Sequence, residues 1–316
     1  MYSYQNYQKA KETIENRRQR AIAMADARDN EVRQLSETIK EIDSELTGTG
    51  LLLFKTACGG GDIEPIKRRN LELMAKRKAE LVRLGLPEDY TEVHYTCKRC
   101  SDSGFVDTRM CSCLKELLVM MNIESSGMGK LIEKQSFENF DLEWYRTSEE
   151  DYKRMVYNVR CAREYAESFG GGAKNLLLIG NTGTGKTHIS TSIAKAIISK
   201  GFDVLYDSAQ NIVAAFEQDR FHSGYGERES SAEKYMECDL LILDDLGTEF
   251  VNQFTVSCLY NLINTRQNRG KSTIISTNLS PEELSGKYEG RIYSRIVGCD
   301  YKVLVFKGKD HRIHSR

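Results

Sequence analysis

The sequence Gly180-Asn181-Thr182-Gly183-Thr184-Gly185-Lys186-Thr187 has the GxxxxGK(S/T) spacing of a phosphate-binding loop. An apolar run, Asn175–Ile179, precedes it, and isoleucine recurs every four residues after it, which predicts a strand, a loop and a helix in succession. Glycines let backbone N–H groups point at phosphate oxygens, and the start of the helix adds partial positive charge. The stretch therefore predicts a nucleotide site.

Individual roles follow from the chemistry of such a loop. Lys186 is predicted to reach the β and γ phosphates of the nucleotide, and the Thr187 hydroxyl is predicted to ligate Mg²⁺. His188, the next residue, is also expected to contact the nucleotide. A glycine-rich turn that binds no ligand is the alternative interpretation of the same stretch.

A second apolar run ends in paired carboxylates and has the Walker B pattern, Asp239-Leu-Leu-Ile-Leu-Asp244-Asp245. Asp244 is predicted to hold Mg²⁺, and Asp245 is placed to polarise the attacking water. Related ATPases often carry glutamate where Asp245 stands, and the shorter side chain predicts slow hydrolysis. Glu249, four residues on, is the alternative candidate for the base.

Three further apolar runs complete the pattern of an α/β fold: Val204–Tyr206, Thr273–Ser276 and Lys302–Phe306. Together with the two runs already described they alternate with amphipathic helices, which is typical of a parallel sheet covered on both faces. We therefore expect a five-stranded parallel sheet flanked by helices, in a domain of residues 152–316.

The N-terminal residues 1–94 favour helices. Their apolar side chains are spaced by three and four residues, as in a short heptad seam: Val32, Leu35, Ile39, Ile42 and Leu46. The seam is expected to pack on a second helix, Ile66 to Leu84, across the break Gly59-Gly60-Gly61, which gives a helical hairpin. Residues 95–114 form a cysteine module, and residues 115–151 are predicted to be a linker.

Composition limits the class of protein. The 316 residues include no apolar run long enough for a membrane helix, and 45 basic against 46 acidic side chains leave a net charge of −1. Any nucleic-acid binding must therefore come from a local patch. The chain is expected to be cytoplasmic, because four of its nine cysteines cluster as in a metal site and the others are scattered singly.

The clustered cysteines are Cys97, Cys100, Cys111 and Cys113, in a C-x₂-C and C-x-C arrangement. Four thiolates in one short stretch predict tetrahedral Zn²⁺, and the segment has too few apolar residues to fold without a metal. An iron–sulfur cluster and unliganded thiols are the alternatives. With four protein ligands, the zinc would be structural.

Four stretches resemble the AAA+ ATPases of the DnaC/DnaI-like helicase-loader and IstB-like group. They are the phosphate loop, LLILDDLG at Leu240–Gly247, STN at Ser276–Asn278 and RIYSRI at Arg291–Ile296. Upstream, the cysteine module resembles the zinc-bearing segment of loaders from Gram-positive bacteria and their phages. The segment Ser136-Phe-Glu-Asn139-Phe140 resembles the one that precedes the ATPase core there, and it is expected to line the adenine pocket.

This resemblance implies roles for two further residues. Asn278 would orient the attacking water, and Arg295 would be an arginine finger donated to the site of a neighbouring subunit. Without the resemblance, Asn278 would be read as the start of a turn. Arg295 could equally belong to a solvated helix face.

The resemblance also implies a function, that of an ATP-controlled loader of the replicative DNA helicase hexamer. The N-terminal region would grip the helicase, while the ATPase domain would bind single-stranded DNA and form a homo-oligomer on the helicase or the DNA. Locally, Phe216–Arg228 mixes cations with aromatic residues, although acidic neighbours dilute it. A transposase-helper ATPase of the IstB kind and a non-hydrolysing ATP-binding scaffold are the alternatives.

Overall fold

The computed structural model of the protein describes residues 3–171, 175–222, 232–298 and 300–310. The chain divides into two compact units, one of Lys11–Leu114 and one of Met1–Ala10 with Lys115–Arg316. The first unit contains the clustered cysteines, and the second contains the phosphate loop. Within the described ranges, no helix is both long enough and apolar enough to span a membrane.

Helices make up most of the unit Lys11–Leu114. They are α1 (Tyr4–Leu35), α2 (Glu37–Cys58) and α3 (Glu64–Arg83). The chain breaks after α1 because Ser36 caps α2, its hydroxyl accepting the N–H of Ile39 at 3.3 Å. The heptad seam predicted through Leu46 is therefore wrong as one continuous helix, and Leu35 is 62% exposed.

The hairpin predicted for this unit is present, and α2 and α3 are its two helices. Val32, Ile39 and Leu81 are fully buried and form one apolar cluster, to which each of the three helices contributes one residue. A two-stranded antiparallel sheet, β1 (Phe105–Val106) with β2 (Arg109–Met110), lies between the two pairs of cysteines in the chain.

A five-stranded parallel sheet forms the centre of the other unit, as the sequence predicts. Its strands are β3 (Asn175–Gly180), β4 (Val204–Ser208), β5 (Leu240–Leu246), β6 (Ser272–Thr277) and β7 (Tyr301–Phe306). Their order in the sheet is β4-β5-β6-β3-β7, so β3 and β5 are internal strands and β4 is an edge strand. The phosphate loop follows β3, and the paired carboxylates lie near the end of β5. Both are therefore at the same edge of the sheet.

Helices cover both faces of this sheet. They are α4 (Ser112–Ser125), α5 (Leu131–Lys134), α6 (Glu149–Ser168), α7 (Lys186–Ser199), α8 (Ala209–His222), α9 (Glu233–Glu237), α10 (Gln253–Asn268) and α11 (Pro281–Ile296), with a short 3₁₀ helix at Glu143–Tyr145. Leu176 and Leu178 pack with α6 and α7, whereas Leu177 and Ile179 pack with α10 and α11. This alternation explains why the strands are continuous apolar runs.

The guanidinium of Arg266 is buried inside this unit. Arg266 on α10 is 0% exposed, and its guanidinium donates to the Tyr235 carbonyl at 2.7 Å, to the Cys238 carbonyl at 3.1 Å and to Thr273 Oγ1 at 3.0 Å. It ties α9 and the start of β5 to the start of β6. Each buried acceptor left without a donor costs roughly 1–3 kcal/mol.

We therefore expect Arg266→Ala to lower the free energy of unfolding by about 3 kcal/mol or more, measured by urea denaturation. Arg269→Ala is the matched control, because Arg269 lies one turn on in the same region and pairs with Glu237 at the surface. An exposed pair contributes at most about 1 kcal/mol. Equal losses in the two variants would contradict the structural role of Arg266.

Candidate functional site

The phosphate loop joins β3 to α7 and needs glycine at two positions. Gly185, at the N-cap of α7, has φ of +90°, and a Cβ there would lie 2.5 Å from the Tyr145 hydroxyl. Gly183 has φ of +73°, and its Cβ would lie 1.8 Å from Asp310 Oδ1. Both values are left-handed backbone that other residues rarely adopt, so the loop geometry explains why glycine stands at these two positions.

Lys186 is 5% exposed and lies at the centre of the loop. Its ammonium donates to the Gly180 carbonyl at 2.7 Å, to the Asn181 carbonyl at 2.8 Å and to Asn278 Oδ1 at 2.7 Å. Asn278 follows β6, the strand beside β3. The fold thus brings together two predicted site residues that are 92 positions apart in the chain.

Asp244, near the end of β5, is 5% exposed and both its oxygens accept hydrogen bonds. Oδ1 accepts the hydroxyl of Ser276, while Oδ2 accepts the hydroxyl of Tyr206 and that of Thr187, the last at 3.3 Å. Thr187 and Asp244, the two predicted magnesium ligands, are therefore adjacent. A hydroxyl and a carboxylate are both oxygen ligands of the kind that Mg²⁺ prefers.

Asp245 has φ of +54°, although it is not a glycine. Its N–H donates to Ser276 Oγ at 3.0 Å, which holds this backbone in place. Left-handed backbone in a residue other than glycine is uncommon and often marks a functional position. The side chain of Asp245 faces the same cavity as Lys186, so the two carboxylates that are adjacent in sequence have different surroundings.

The cavity beside the loop has a volume of about 300 Å³. It is lined by the loop from Thr182 to His188, by Asp245 and Asn278, and by residues of the segment 135–145, namely Gln135, Asn139, Asp141, Trp144 and Tyr145. Asn139 belongs to the segment that the sequence places at the adenine pocket. The cavity is therefore bordered by the phosphate loop and by a segment that contributes aromatic and amide side chains.

His188 and Tyr145 attach the segment 135–145 to the phosphate loop. His188 Nε2 lies 3.0 Å from the Ser136 carbonyl oxygen and 3.0 Å from Asn139 Oδ1, and burial lowers the pKa of its imidazole. The Tyr145 hydroxyl donates to the Thr184 carbonyl at 3.0 Å, and its ring stacks on Phe140 with the ring centres 5.7 Å apart.

Two residues proposed from the sequence are placed outside this cavity. Glu249 is 4% exposed, and its carboxylate accepts the Gly247 N–H at 2.9 Å and the hydroxyl of Tyr288. Both its oxygens thus hold the turn after β5. The Arg295 guanidinium donates to Asn264 Oδ1 at 3.0 Å and to the Tyr260 hydroxyl at 2.9 Å. Neither residue lines the cavity of its own chain.

The segment proposed to contact single-stranded DNA, Phe216–Arg228, is only partly within the described residues, because 223–228 lie outside them. Its first part belongs to α8. There the Arg220 guanidinium lies over the ring of Phe254, 5.3 Å from its centre.

Tyr206, Ser276 and Tyr145 contact site residues, but the sequence did not predict their contacts. Tyr206 and Tyr145 match no motif, and their roles depend on strand neighbours and on a loop that folds back. Ser276 could have been found, since it precedes Asn278 by two residues and alternate residues of a strand point to the same side.

The four predicted zinc ligands come together in the unit Lys11–Leu114. All four sulfur atoms lie within 4.8 Å of one another, with Cys97 and Cys111 3.8 Å apart and Cys100 and Cys113 3.5 Å apart. Four sulfurs bound to one zinc ion at about 2.3 Å lie about 3.8 Å from each other in a tetrahedron. A four-iron cluster would hold them farther apart, because each sulfur would bind a different iron atom.

Local structure supports this arrangement of thiols. Asp102 is buried, and its carboxylate accepts the N–H groups of Thr96 and Cys97, each at 2.8 Å. The turn that follows the first cysteine pair is tight, since Ser101 and Asp102 both have φ of +50°. The backbone N–H of Cys113 lowers the pKa of the Cys111 thiol, whereas burial raises that of the Cys113 thiol.

Residues 121–292 match the family model described as IstB-like ATP binding protein. The match covers more than half of the chain and includes the phosphate loop, Asp244, Asp245 and Asn278. The chain belongs to the IstB-like ATP-binding protein family. The resemblance inferred from the motifs is thereby confirmed at the level of the family. The cysteine cluster and Arg295 lie outside the residues that this family model matches.

Individual proteins similar to this IstB-like chain act in DNA replication according to their names. The replicative helicase loader DnaC of Escherichia coli (strain K12) is 25% identical over 171 residues, which are 54% of this chain and 66%, just under two thirds, of DnaC. The chromosomal replication initiator protein DnaA of Aquifex aeolicus is 26% identical over 186 residues, 58% of this chain and 45% of DnaA. A crystal structure of the DnaC helicase loader is similar with a TM-score of 0.48 and 22% identity, covering 57% of this chain and 100% of that one.

Proposed function

We propose that this IstB-like chain binds Mg²⁺ and ATP at the phosphate loop, hydrolyses the ATP slowly, and uses the two states as a switch in DNA replication. The observation that carries the proposal is the convergence of Lys186, Thr187, Asp244, Asp245 and Asn278 beside one cavity. A buried lysine beside two oxygen ligands and a further carboxylate is the set that phosphoryl transfer needs.

Each residue has a distinct task in this proposal. Loop N–H groups and the Lys186 ammonium hold the phosphates, and Thr187 with Asp244 holds Mg²⁺, which would neutralise charge on the phosphate oxygens. Asp245 accepts a hydrogen bond from the attacking water, and Asn278, which is already bonded to Lys186, orients that water. The base and sugar lie against the segment 135–145, which lines the same cavity as the phosphate loop.

Asp245 and Glu249 can be separated as candidates for the base. Asp245→Asn is expected to lower the rate of ATP hydrolysis about 100-fold, since general-base catalysis contributes about 10²–10⁴. Asparagine tolerates the left-handed backbone at this position. Glu249→Gln is the control, because the Glu249 carboxylate accepts hydrogen bonds from Gly247 and Tyr288. The rate of ATP hydrolysis per folded molecule of this variant should stay within a few-fold of wild type. A larger loss in Glu249→Gln would make Glu249 the base.

For partners, we propose the replicative DNA helicase hexamer and single-stranded DNA, in the cytoplasm. The name of DnaC supports the helicase, and the helical region 1–94 is proposed to bind it. The ATPase domain, residues 152–316, would bind the single strand and assemble as a homo-oligomer in which Arg295 completes the neighbouring site. The cysteine module 95–114 would hold a structural Zn²⁺, and residues 115–151, which pack in the unit of the phosphate loop, would join it to the ATPase domain.

Capture of the helicase tests the assignment of partners. The full chain, immobilised in the presence of ATP and Mg²⁺, is expected to retain the purified replicative helicase of the same genome in a stoichiometric complex. Lys186→Ala should show whether capture depends on nucleotide. If neither the wild-type chain with ATP nor Lys186→Ala captures the helicase, the transposase-helper alternative is favoured. Capture of the helicase without any ATP hydrolysis would favour the non-hydrolysing scaffold.

A further inference from the structure

Tyr206 connects the magnesium-binding residue Asp244 to the edge of the sheet. It lies on the edge strand β4, opposite Ile242 of β5, and therefore two residues before Asp244 along the neighbouring strand. The Tyr206 hydroxyl donates to Asp244 Oδ2, and the Ser276 hydroxyl from β6 donates to Oδ1. The carboxylate is thus held from both neighbouring strands.

The backbone of Tyr206 is fixed as well. Its N–H points away from β5 and donates to the Ser126 carbonyl at 2.7 Å, which satisfies a group that an edge strand usually leaves unpaired. Gly127 packs against the same residue, because a Cβ on Gly127 would lie 2.4 Å from the Tyr206 carbonyl oxygen. The segment Ser126–Gly127, which follows α4, therefore limits where the tyrosine can lie.

We propose that Tyr206 is a positioning residue that, together with Ser276, orients the Asp244 carboxylate for Mg²⁺. This inference rests on the proposed function of the nucleotide site. Neither hydroxyl is proposed to touch the nucleotide, and the effect of each is exerted through Asp244.

The physical reason is the freedom of a carboxylate to rotate. Each carboxylate oxygen has two lone pairs, so Asp244 Oδ1 can accept the Ser276 hydroxyl and still offer a lone pair to the metal or its water. Oδ2 accepts two hydroxyls, those of Tyr206 and Thr187. Without the Tyr206 hydroxyl, Oδ2 would keep only the contact with Thr187, itself a predicted magnesium ligand. Hydrogen-bonding partners of metal ligands typically change metal affinity about 10–100-fold when removed.

Tyr206→Phe removes this hydroxyl and keeps the ring, so it is the test variant. We would titrate Mg²⁺ and follow two quantities, the binding of a fluorescent ATP analogue and the release of phosphate. The Mg²⁺ concentration at half-maximal binding is expected to rise about tenfold in Tyr206→Phe. Binding of the same analogue in EDTA is expected to stay within about twofold of wild type, because the phosphate loop is unchanged.

Tyr235→Phe is the matched control. Its hydroxyl donates to another carboxylate, Asp207 Oδ2, at 2.7 Å, and Asp207 is not among the predicted magnesium ligands. Tyr235→Phe should lose about as much stability in thermal unfolding as Tyr206→Phe does. Its binding of the ATP analogue should keep the wild-type dependence on Mg²⁺. If Tyr206→Phe folds poorly, Ser276→Ala tests the other hydroxyl that contacts the Asp244 carboxylate, by the same Mg²⁺ titration.

Two outcomes would count against the inference in different ways. If the folded Tyr206→Phe variant shows the wild-type dependence on Mg²⁺, the positioning role is overturned and the proposed function is left intact. The same conclusion follows from Ser276→Ala when that variant is used in place of Tyr206→Phe. Wild-type protein that binds the analogue no better than Lys186→Ala at any Mg²⁺ concentration would overturn the proposed function, and the inference with it.

Discussion

Lys186→Ala is expected to weaken ATP binding and to reduce ATP hydrolysis by about 30-fold or more. The lysine is the cation within the phosphate loop, and its ammonium lies against Gly180, Asn181 and Asn278. Removing one partner of a buried charge contact costs about 2–5 kcal/mol, and each 1.4 kcal/mol is a factor of ten. Isothermal titration with ATP and a phosphate-release assay would measure the two effects.

The control for this variant is Lys200→Ala. Lys200 ends the same helix, α7, and its ammonium likewise donates to backbone carbonyls, those of Ala166 at 2.7 Å and of Glu167 at 2.5 Å. Both variants lose contacts to carbonyls, but Lys200 is exposed and Lys186 is buried, so the thermal stability of each variant is measured beside its ATP binding. If Lys200→Ala binds ATP normally and Lys186→Ala does not, the effect belongs to the phosphate loop. Normal hydrolysis by Lys186→Ala would contradict the proposed site.

Cys100→Ser is expected to remove bound metal and to unfold much of the cysteine module. Cys100 is buried, and its sulfur lies 3.5 Å from that of Cys113. Zinc binding in small zinc-dependent domains provides about 10–16 kcal/mol at neutral pH, which few apolar contacts in residues 95–114 could replace. Elemental analysis should give about one zinc ion per wild-type chain and close to none in the variant.

Cys58→Ser is the control, because Cys58 is an exposed thiol in the same unit and is not part of the cluster. It should keep the wild-type zinc content. Hydrogen exchange would locate the unfolding, with faster exchange expected around Asp102 and in β1 and β2 but not in the five-stranded sheet. Iron in place of zinc would favour the iron–sulfur alternative. A full complement of zinc in the Cys100→Ser variant would show that Cys100 is not a zinc ligand.

The central sheet could be predicted from the sequence because both faces of its strands are buried. Such strands must be apolar at every position, as in the runs Leu176–Ile179 and Leu240–Leu243, and polar loops separate them clearly from one another. The N-terminal helices were predicted less well. A spacing of three and four residues suits one helix or two successive ones equally, and the break depends on one serine, Ser36, that caps α2.

Site residues that a local backbone conformation brings to the nucleotide could be predicted from the sequence alone. Lys186 and Thr187 follow the loop glycines directly, and Asp244 and Asp245 end an apolar strand, so short-range geometry places them at the edge of the sheet where ligands bind. The same holds for the four cysteines, whose spacing allows a single turn and a two-residue hairpin to bring their sulfurs together.

The surroundings of these residues depend instead on how the strands and loops pack in three dimensions. Tyr206, Asp244 and Ser276 meet because β4, β5 and β6 are neighbours in the sheet, and strand order is set by packing of the whole unit. Tyr145 reaches Thr184 because the segment before the ATPase core folds back over the loop. Contacts between residues far apart in the chain depend on the global arrangement of buried surfaces, and no local pattern in one sequence encodes them.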